Sequence, residues 1–257
     1  MAKSKHVIFI HGNFVNNRTW ENWKPRFESR GYAVHTPANP GHDGDPAELR
    51  YRVHPDLGST GLKDVVRNIE RLIDTLPEKP LVVGHSMAGV AAMKLVEMER
   101  VTAAVNIHGA PPKNVFPAPI QTLKTVFPSF GFFSPRKTWL GSQGWYAKAF
   151  FNTLPEGARS TAYETYAVPE SCKVNRDLVL DSFSKVDFKR PHVPILFIGG
   201  GSDNIFSSHF TERIAGRYTD SNSRLDVRIF DHRSHFTCGE PGWEEVADYV
   251  LDWYENL

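Results

Sequence analysis

Short, unbroken apolar runs recur along the chain at residues 7–11, 32–35, 81–84, 103–107, 195–199 and 225–230. Runs of this kind suit strands covered on both faces, as in a parallel sheet. Helical patterns lie between them. Over residues 61–76 the apolar positions Leu62, Val65, Val66, Ile69, Leu72, Ile73 and Leu76 fall on one helical face. Residues 86–98 open with apolar side chains nearly all round, which predicts a buried helix directly behind the strand at 81. Residues 243–253 predict a terminal amphipathic helix carrying Val246, Val250 and Leu251. The strand–helix alternation predicts an α/β fold, a doubly wound and mostly parallel sheet with right-handed crossovers.

One stretch interrupts this rhythm. Residues 111–189 contain no strand-like run, but prolines recur at 111, 112, 117, 119, 128 and 135. Twelve aromatic side chains crowd between Phe116 and Tyr166, Trp139 and Trp145 among them. A long insertion in an α/β sheet usually serves function. The expectation is a helical, aromatic-rich cap at 111–189, inserted before the last two strands, on a core made of 1–110 and 190–257.

Composition narrows the class. Hydrophobic residues are 40% and charged residues 23% of the chain, and the net charge is +1, which suits a globular domain and offers no basic stripe for nucleic acid. No apolar run approaches a membrane span. Lys3 and Lys5 precede an apolar run of only four residues, too short for a signal peptide, so it is expected to be the first core strand. Cys172 and Cys238 are too few for a disulfide framework, so a cytoplasmic protein is expected. No metal-ligand spacing and no dinucleotide-binding glycine pattern is present, so neither metal nor cofactor is expected. Nothing in the sequence sets an oligomeric state.

Candidate chemistry follows the strands. Gly84-His85-Ser86-Met87-Ala88 reads as a strand, a sharp turn and a helix start, with one serine at the tip. Such a turn needs small residues on either side and aims helix N–H groups at the space in front of the hydroxyl. The usual pattern is G-x-S-x-G; Ala88 adds one methyl to it. His11-Gly12-Asn13-Phe14 follows the first strand, and the backbone N–H groups of Asn13 and Met87 would together hold an oxyanion. Asp203 follows the glycine run 199–201 and would either orient a histidine or cap a turn. His232 and His235 share the loop after the last strand, and His235 has the longer reach toward the serine. The remaining candidates are a pocket lining of Phe14, His108, Trp139 and Trp145. His85 is expected to pack around the turn, and Asp181 and Asp187 to lie on the surface.

The chain order Ser86, Asp203, His235, each after a strand, resembles an α/β-hydrolase over nearly the whole length. The compact start, Trp20, Gly31-Tyr32 and Pro40-Gly41-His42-Asp43 are similar to the branch holding plant methyl esterases and hydroxynitrile lyases. His-Gly-Asn is also similar to haloalkane dehalogenases, but their nucleophile is Asp where this chain has Ser86. The resemblance implies a cofactor-independent serine hydrolase acting on a small molecule through an acyl-enzyme. The expected substrate is a carboxylic ester or lactone with a hydrophobic acyl part, acyl-homoserine lactones included. The alternatives are perhydrolysis, cyanohydrin or amide cleavage on the same three residues, or a ligand receptor with slow turnover.

Overall fold

A computed structural model describes residues 3–115, 118–133 and 137–257 of the chain. Phe116, Pro117 and Pro135 of the insertion lie outside the described residues. The strands are β1 (His6–Ile10), β2 (Ala33–His35), β3 (Leu81–His85), β4 (Ala103–Ile107), β5 (Thr138–Trp139), β6 (Glu170–Ser171), β7 (Ile195–Gly200) and β8 (Leu225–Phe230). The helices are α1 (Trp23–Glu28), α2 (Pro46–Tyr51), α3 (Leu62–Ile73), α4 (Met87–Glu97), α5 (Ile120–Val126), α6 (Gln143–Ala149), α7 (Glu156–Tyr166), α8 (Cys172–Leu180), α9 (Ser208–Ala215) and α10 (Trp243–Glu255).

Six strands form one parallel sheet in the order β2-β1-β3-β4-β7-β8. Alternate side chains along the buried strands feed two cores. Ile8, Ile10 and Val82 face the apolar stripe of α3 and the buried helix α4. Val7, Phe9, Leu81 and Val83 face Trp20, Trp23 and Phe27 on one side of the chain's start, and Val246, Val250 and Leu251 of α10. Helices therefore cover both faces, and β1, β3, β4 and β7 are buried almost throughout. The winding reverses between β1 and β3, where a crevice opens beyond the strand ends.

Two details depart from the sequence pattern. The α3 stripe reads on to Leu76, yet the helix stops at Ile73, short of Pro77, which has no N–H to continue the helix and disfavours a helical Leu76 before it. At the sheet edge β8 is only half covered, with Val227 40% exposed. The Asp226 and Arg228 side chains explain this: Asp226 accepts from the Trp253 indole at 2.7 Å, and Arg228 lies over the Phe230 and Tyr249 rings.

The segment between β4 and β7 carries α5 to α8. It also carries β5 and β6, which pair antiparallel where no strand is expected. Its aromatics divide by position. Tyr146, Phe150 and Phe151 are fully buried in the same cluster as Ile8 and Val82, worth about 1.5–3 kcal/mol each in transfer from water. Trp139, Trp145, Tyr163 and Tyr166 pack on that cluster half-buried, while Phe127, Phe132 and Phe133 are exposed. No helix of the described residues is long and apolar enough to cross a membrane.

Candidate active site

The switch point of the sheet brings three loops together. β3 ends at His85, α4 starts at Met87, and Ser86 between them is held at φ 57°, ψ −120°. That left-handed backbone is costly for a residue with a Cβ and persists only when its surroundings impose it. They do so here: the Ser86 N–H donates to Ile107 O at 2.9 Å, and Ser86 O accepts from the Gly89 and Ala110 N–H groups, both at 2.9 Å. A Cβ on Gly84 would stand 2.2 Å from Ala88 O, and one on Gly12 would stand 2.7 Å from Ser86 Cβ. The turn therefore closes only over glycine at these two places, whereas the Ala88 methyl is accommodated in the core.

The loop after β1 is fixed from below and above. His11 donates from Nδ1 to Gly12 O at 2.8 Å and accepts the Asn39 N–H on Nε2 at 2.9 Å. Burial, and then the neighbouring His42, push it down to about 3, so it stays neutral. Phe14 O accepts from the Tyr146 hydroxyl and from the Val168 N–H. Phe14 itself has φ 71°. Among the described residues the N–H groups of Asn13 and Met87 have no protein acceptor, and both residues line one cleft with Ser86.

Asp203 follows β7 and accepts four hydrogen bonds. Oδ1 takes the Ile205 and Phe206 N–H groups at 2.7 and 2.9 Å. Oδ2 takes His235 Nδ1 at 2.8 Å and His108 Nδ1 at 2.6 Å. One carboxylate thus caps a turn and orients a histidine, the two roles open from sequence. Burial alone would raise it; the adjacent His235 and the hydrogen bonds from His108 and His235 outweigh that and hold it well below the usual carboxylate range. The glycine run makes this approach feasible: a Cβ on Gly200 would meet Arg233 O at 2.2 Å and His108 Cε1 at 2.4 Å.

Because the carboxylate can only accept, His235 carries its proton on Nδ1. Its Nε2 is buried and has no hydrogen-bond partner among the described residues. The ring is wedged edge-on between Phe150 and Phe206, at 4.8 and 5.5 Å. Asp203 and His235 are therefore joined, while no hydrogen bond links His235 to Ser86 in this conformation. His85 holds the His235 loop through its Nε2, 2.8 Å from His235 O. Burial and then the His235 and His108 rings lower His85 well below its ordinary value. His232 is exposed, as is Asp187, and half-buried Asp181 caps the turn at Phe183.

The cleft in front of Ser86 is walled by Phe14, Leu123, Phe130, Leu178, Ile205 and Phe206, with Asn13 and Asn175 as a polar pair. Its free volume is about 40 Å³, room for roughly three waters at ~10–15 Å³ each. Of the pocket candidates, Phe14 lines it. Trp139 and Trp145 pack edge-on behind Phe14 at 5.2 and 5.1 Å, and His108 lies beneath with Asp203. The donor atoms of His108, Asp203 and His235 fall within 4.8 Å of one another, the single grouping among the described residues spaced for a metal ion. Their nitrogens meet one carboxylate oxygen directly, at hydrogen-bond distance.

The model of the alpha/beta hydrolase family matches residues 7–249. The chain belongs to that family. A search of curated proteins finds no relative that matches it. Among solved structures, tomato methylketone synthase I, crystallised with 2-tridecanone, superposes with a TM-score of 0.74 at 18% identity, covering 100% of this chain and 99% of that one. A pyrethroid hydrolase from Sphingobium faniae JZ-2 gives 0.71 at 16%, covering 97% of each chain. A methylesterase from Arabidopsis gives 0.70 at 15%, covering 98% and 99%. At such identities the likeness is one of fold. Within this alpha/beta hydrolase, the residues that sequence reasoning missed are Asn175 and Thr237, and the bond from His108 to Asp203. The available signals are the His-Gly pair directly after β4 and the glycine run at the end of β7.

Proposed function

We propose that the chain is a serine hydrolase that cleaves carboxylic esters, lactones included, through an acyl-enzyme at Ser86. The observation that carries this reading is the strained Ser86 backbone at the tip of β3, opening on an apolar cleft next to two unpaired N–H groups. Ser86 Oγ attacks the acyl carbonyl and passes its proton to Nε2 of His235, the nitrogen that the Asp203 bond leaves free to accept. Asp203 stabilises the imidazolium that forms. The Asn13 and Met87 N–H groups hold the tetrahedral oxyanion. Nε2 then protonates the departing alkoxide. A water, deprotonated by the same nitrogen, attacks the acyl-enzyme and frees the acid and Ser86.

The segment 111–189 serves as the cap of this site. Leu123 and Phe130 reach into the cleft from it, and Thr122 ties α5 to the acid loop by donating to Ile205 O at 2.7 Å. A cleft of about 40 Å³ takes only a short acyl group, so longer acyl chains enter when the α5 region lifts. The apolar walls favour a hydrophobic acyl group at roughly 0.8 kcal/mol per methylene, a factor of about four per carbon in kcat/KM.

A p-nitrophenyl ester series from acetate to decanoate tests this. The value of kcat/KM is expected to rise from acetate and peak at a short-to-medium chain. Leu123→Ala with Phe130→Ala is expected to flatten that rise. A monotonic fall from acetate onward refutes the apolar-substrate reading.

A further inference from the structure

Asp203 Oδ2 is shared. His235 donates to it at 2.8 Å and His108 at 2.6 Å, from two different loops, and all three side chains are completely buried. A histidine that merely filled space would not direct an N–H to the oxygen that His235 already uses. His108 is moreover held in an uncommon backbone conformation, φ 49°, with its N–H on Ile198 O at 2.8 Å. Its other nitrogen is engaged too: Nε2 lies 3.0 Å from Thr237 Oγ1, and that hydroxyl lies 2.8 Å from Ser234 O.

We propose that His108 is a positioning residue which, by drawing on the charge of Asp203, sets the pH above which His235 is free to accept the serine proton. This rests on the hydrolase reading above. The sign is the same for either proton inventory of Thr237. If its hydroxyl donates to Ser234 O, it accepts from Nε2–H, and His108 is a cation that repels a second positive charge on His235. If the hydroxyl donates to Nε2, His108 is neutral, and its Nδ1–H still withdraws electron density from Oδ2. Either way protonated His235 is less favoured than it would be beside an unshared carboxylate, and the base is ready at lower pH.

The titratable groups around this acid are few. His85 at the end of β3 has its ring centroid 4.8 Å from that of His235 and 6.2 Å from that of His108. Burial keeps it neutral, so it adds no charge over the working range. Glu240 lies behind the His235 loop, accepting from the N–H and hydroxyl of Ser234, and stays in place in every variant below.

Three substitutions separate positioning from packing. His108→Ala removes the donor. His108→Asn keeps it, because the amide nitrogen falls where Nδ1 stands and Asn tolerates a positive φ. His108→Gln puts its amide nitrogen where Nε2 stands, so it keeps Thr237 and loses Asp203. The pH profile of kcat/KM on a p-nitrophenyl ester is measured for each. The imidazole titration of His235 is followed by NMR on histidine-labelled protein without substrate.

The acid limb and the NMR midpoint are expected to move up by about one unit in His108→Ala and His108→Gln, and by less in His108→Asn, which keeps the donor to Asp203 whichever inventory holds. Should the alanine variant not fold, the Asn–Gln pair, alike in bulk and polarity, decides the point. Equal midpoints in all folded variants overturn the proposal, however much rate is lost. Fluorophosphonate labelling of wild-type Ser86 is run alongside. If labelling fails, the hydrolase reading falls, while the NMR titration still decides whether His108 tunes His235.

Discussion

Replacing Asp203 by Asn keeps the shape of the side chain and changes which atoms can accept a proton. The carboxylate takes two backbone N–H groups on Oδ1 and two imidazole N–H groups on Oδ2. An amide has one oxygen and one NH₂, so in either orientation the NH₂ faces a pair of donors. Turned toward Ile205 and Phe206, it meets backbone N–H groups that cannot move their protons, at about 1–3 kcal/mol for each buried donor left unpaired. Turned toward the histidines, it meets rings that can shift a proton from Nδ1 to Nε2 at little cost. The second orientation wins. His235 is then protonated on Nε2, the nitrogen proposed to accept from Ser86. The variant is expected to stay folded, with an unfolding midpoint near wild type, and to lose about 10⁴ in kcat on a p-nitrophenyl ester, as wrong-tautomer variants of triad aspartates do. At 1.36 kcal/mol per decade this is roughly 5.5 kcal/mol of barrier. A folded Asp203→Asn protein within tenfold of wild-type activity would refute the reasoning.

Gly84→Ala places a methyl 2.2 Å from the backbone oxygen of Ala88, so it is expected to cost about 1–3 kcal/mol in urea unfolding and to abolish turnover; an active, equally stable variant contradicts the crowded-turn account. Burial lowers His11 to about 3 and His85 well below its ordinary value. Both folded values lie under the ordinary 6.5, so below that pH the unfolded chain binds more protons and stability falls, by about 1.4 kcal/mol per pH unit for each histidine. His42 runs the other way. Its burial is outweighed by Glu170, which raises it, so its contribution is intact below pH 6.5 and is lost only as the pH rises. Urea midpoints at pH 7 and pH 5 check the sum, and equal stability at the two would mean that His11 and His85 charge freely in the fold.

The parts legible in sequence were those that local physics determines alone. β1, β3, β4 and β7 are buried on both faces, so their apolar runs are unbroken and easy to see. The α3 stripe and the turn at Ser86 also speak for themselves, since glycine at 84 is what a left-handed serine before a helix requires. The edge strand β8 reads as a buried run, although Asp226 and Arg228 mark its open side. Helices α5 to α8 have at most eleven residues, too short to hold on propensity alone, so a helical insertion is readable and its elements are not. His108 reads as pocket lining because a strand-end histidine is visible in one dimension while its target is not. That target requires the ends of β4, β7 and β8 to converge, and the convergence follows from strand order and from the missing side chain of Gly200.

Acylation of Ser86 is the central step of the proposed hydrolysis. Its most direct test is intact-protein mass spectrometry after incubation with a fluorophosphonate, for the wild-type chain and for Ser86→Ala, with peptide mapping and residual ester hydrolysis measured on the same samples. The expected result is one adduct per wild-type chain, located on Ser86, with ester hydrolysis lost in step, and no adduct on Ser86→Ala. An equal adduct on Ser86→Ala, or undiminished ester turnover by that variant, would contradict it.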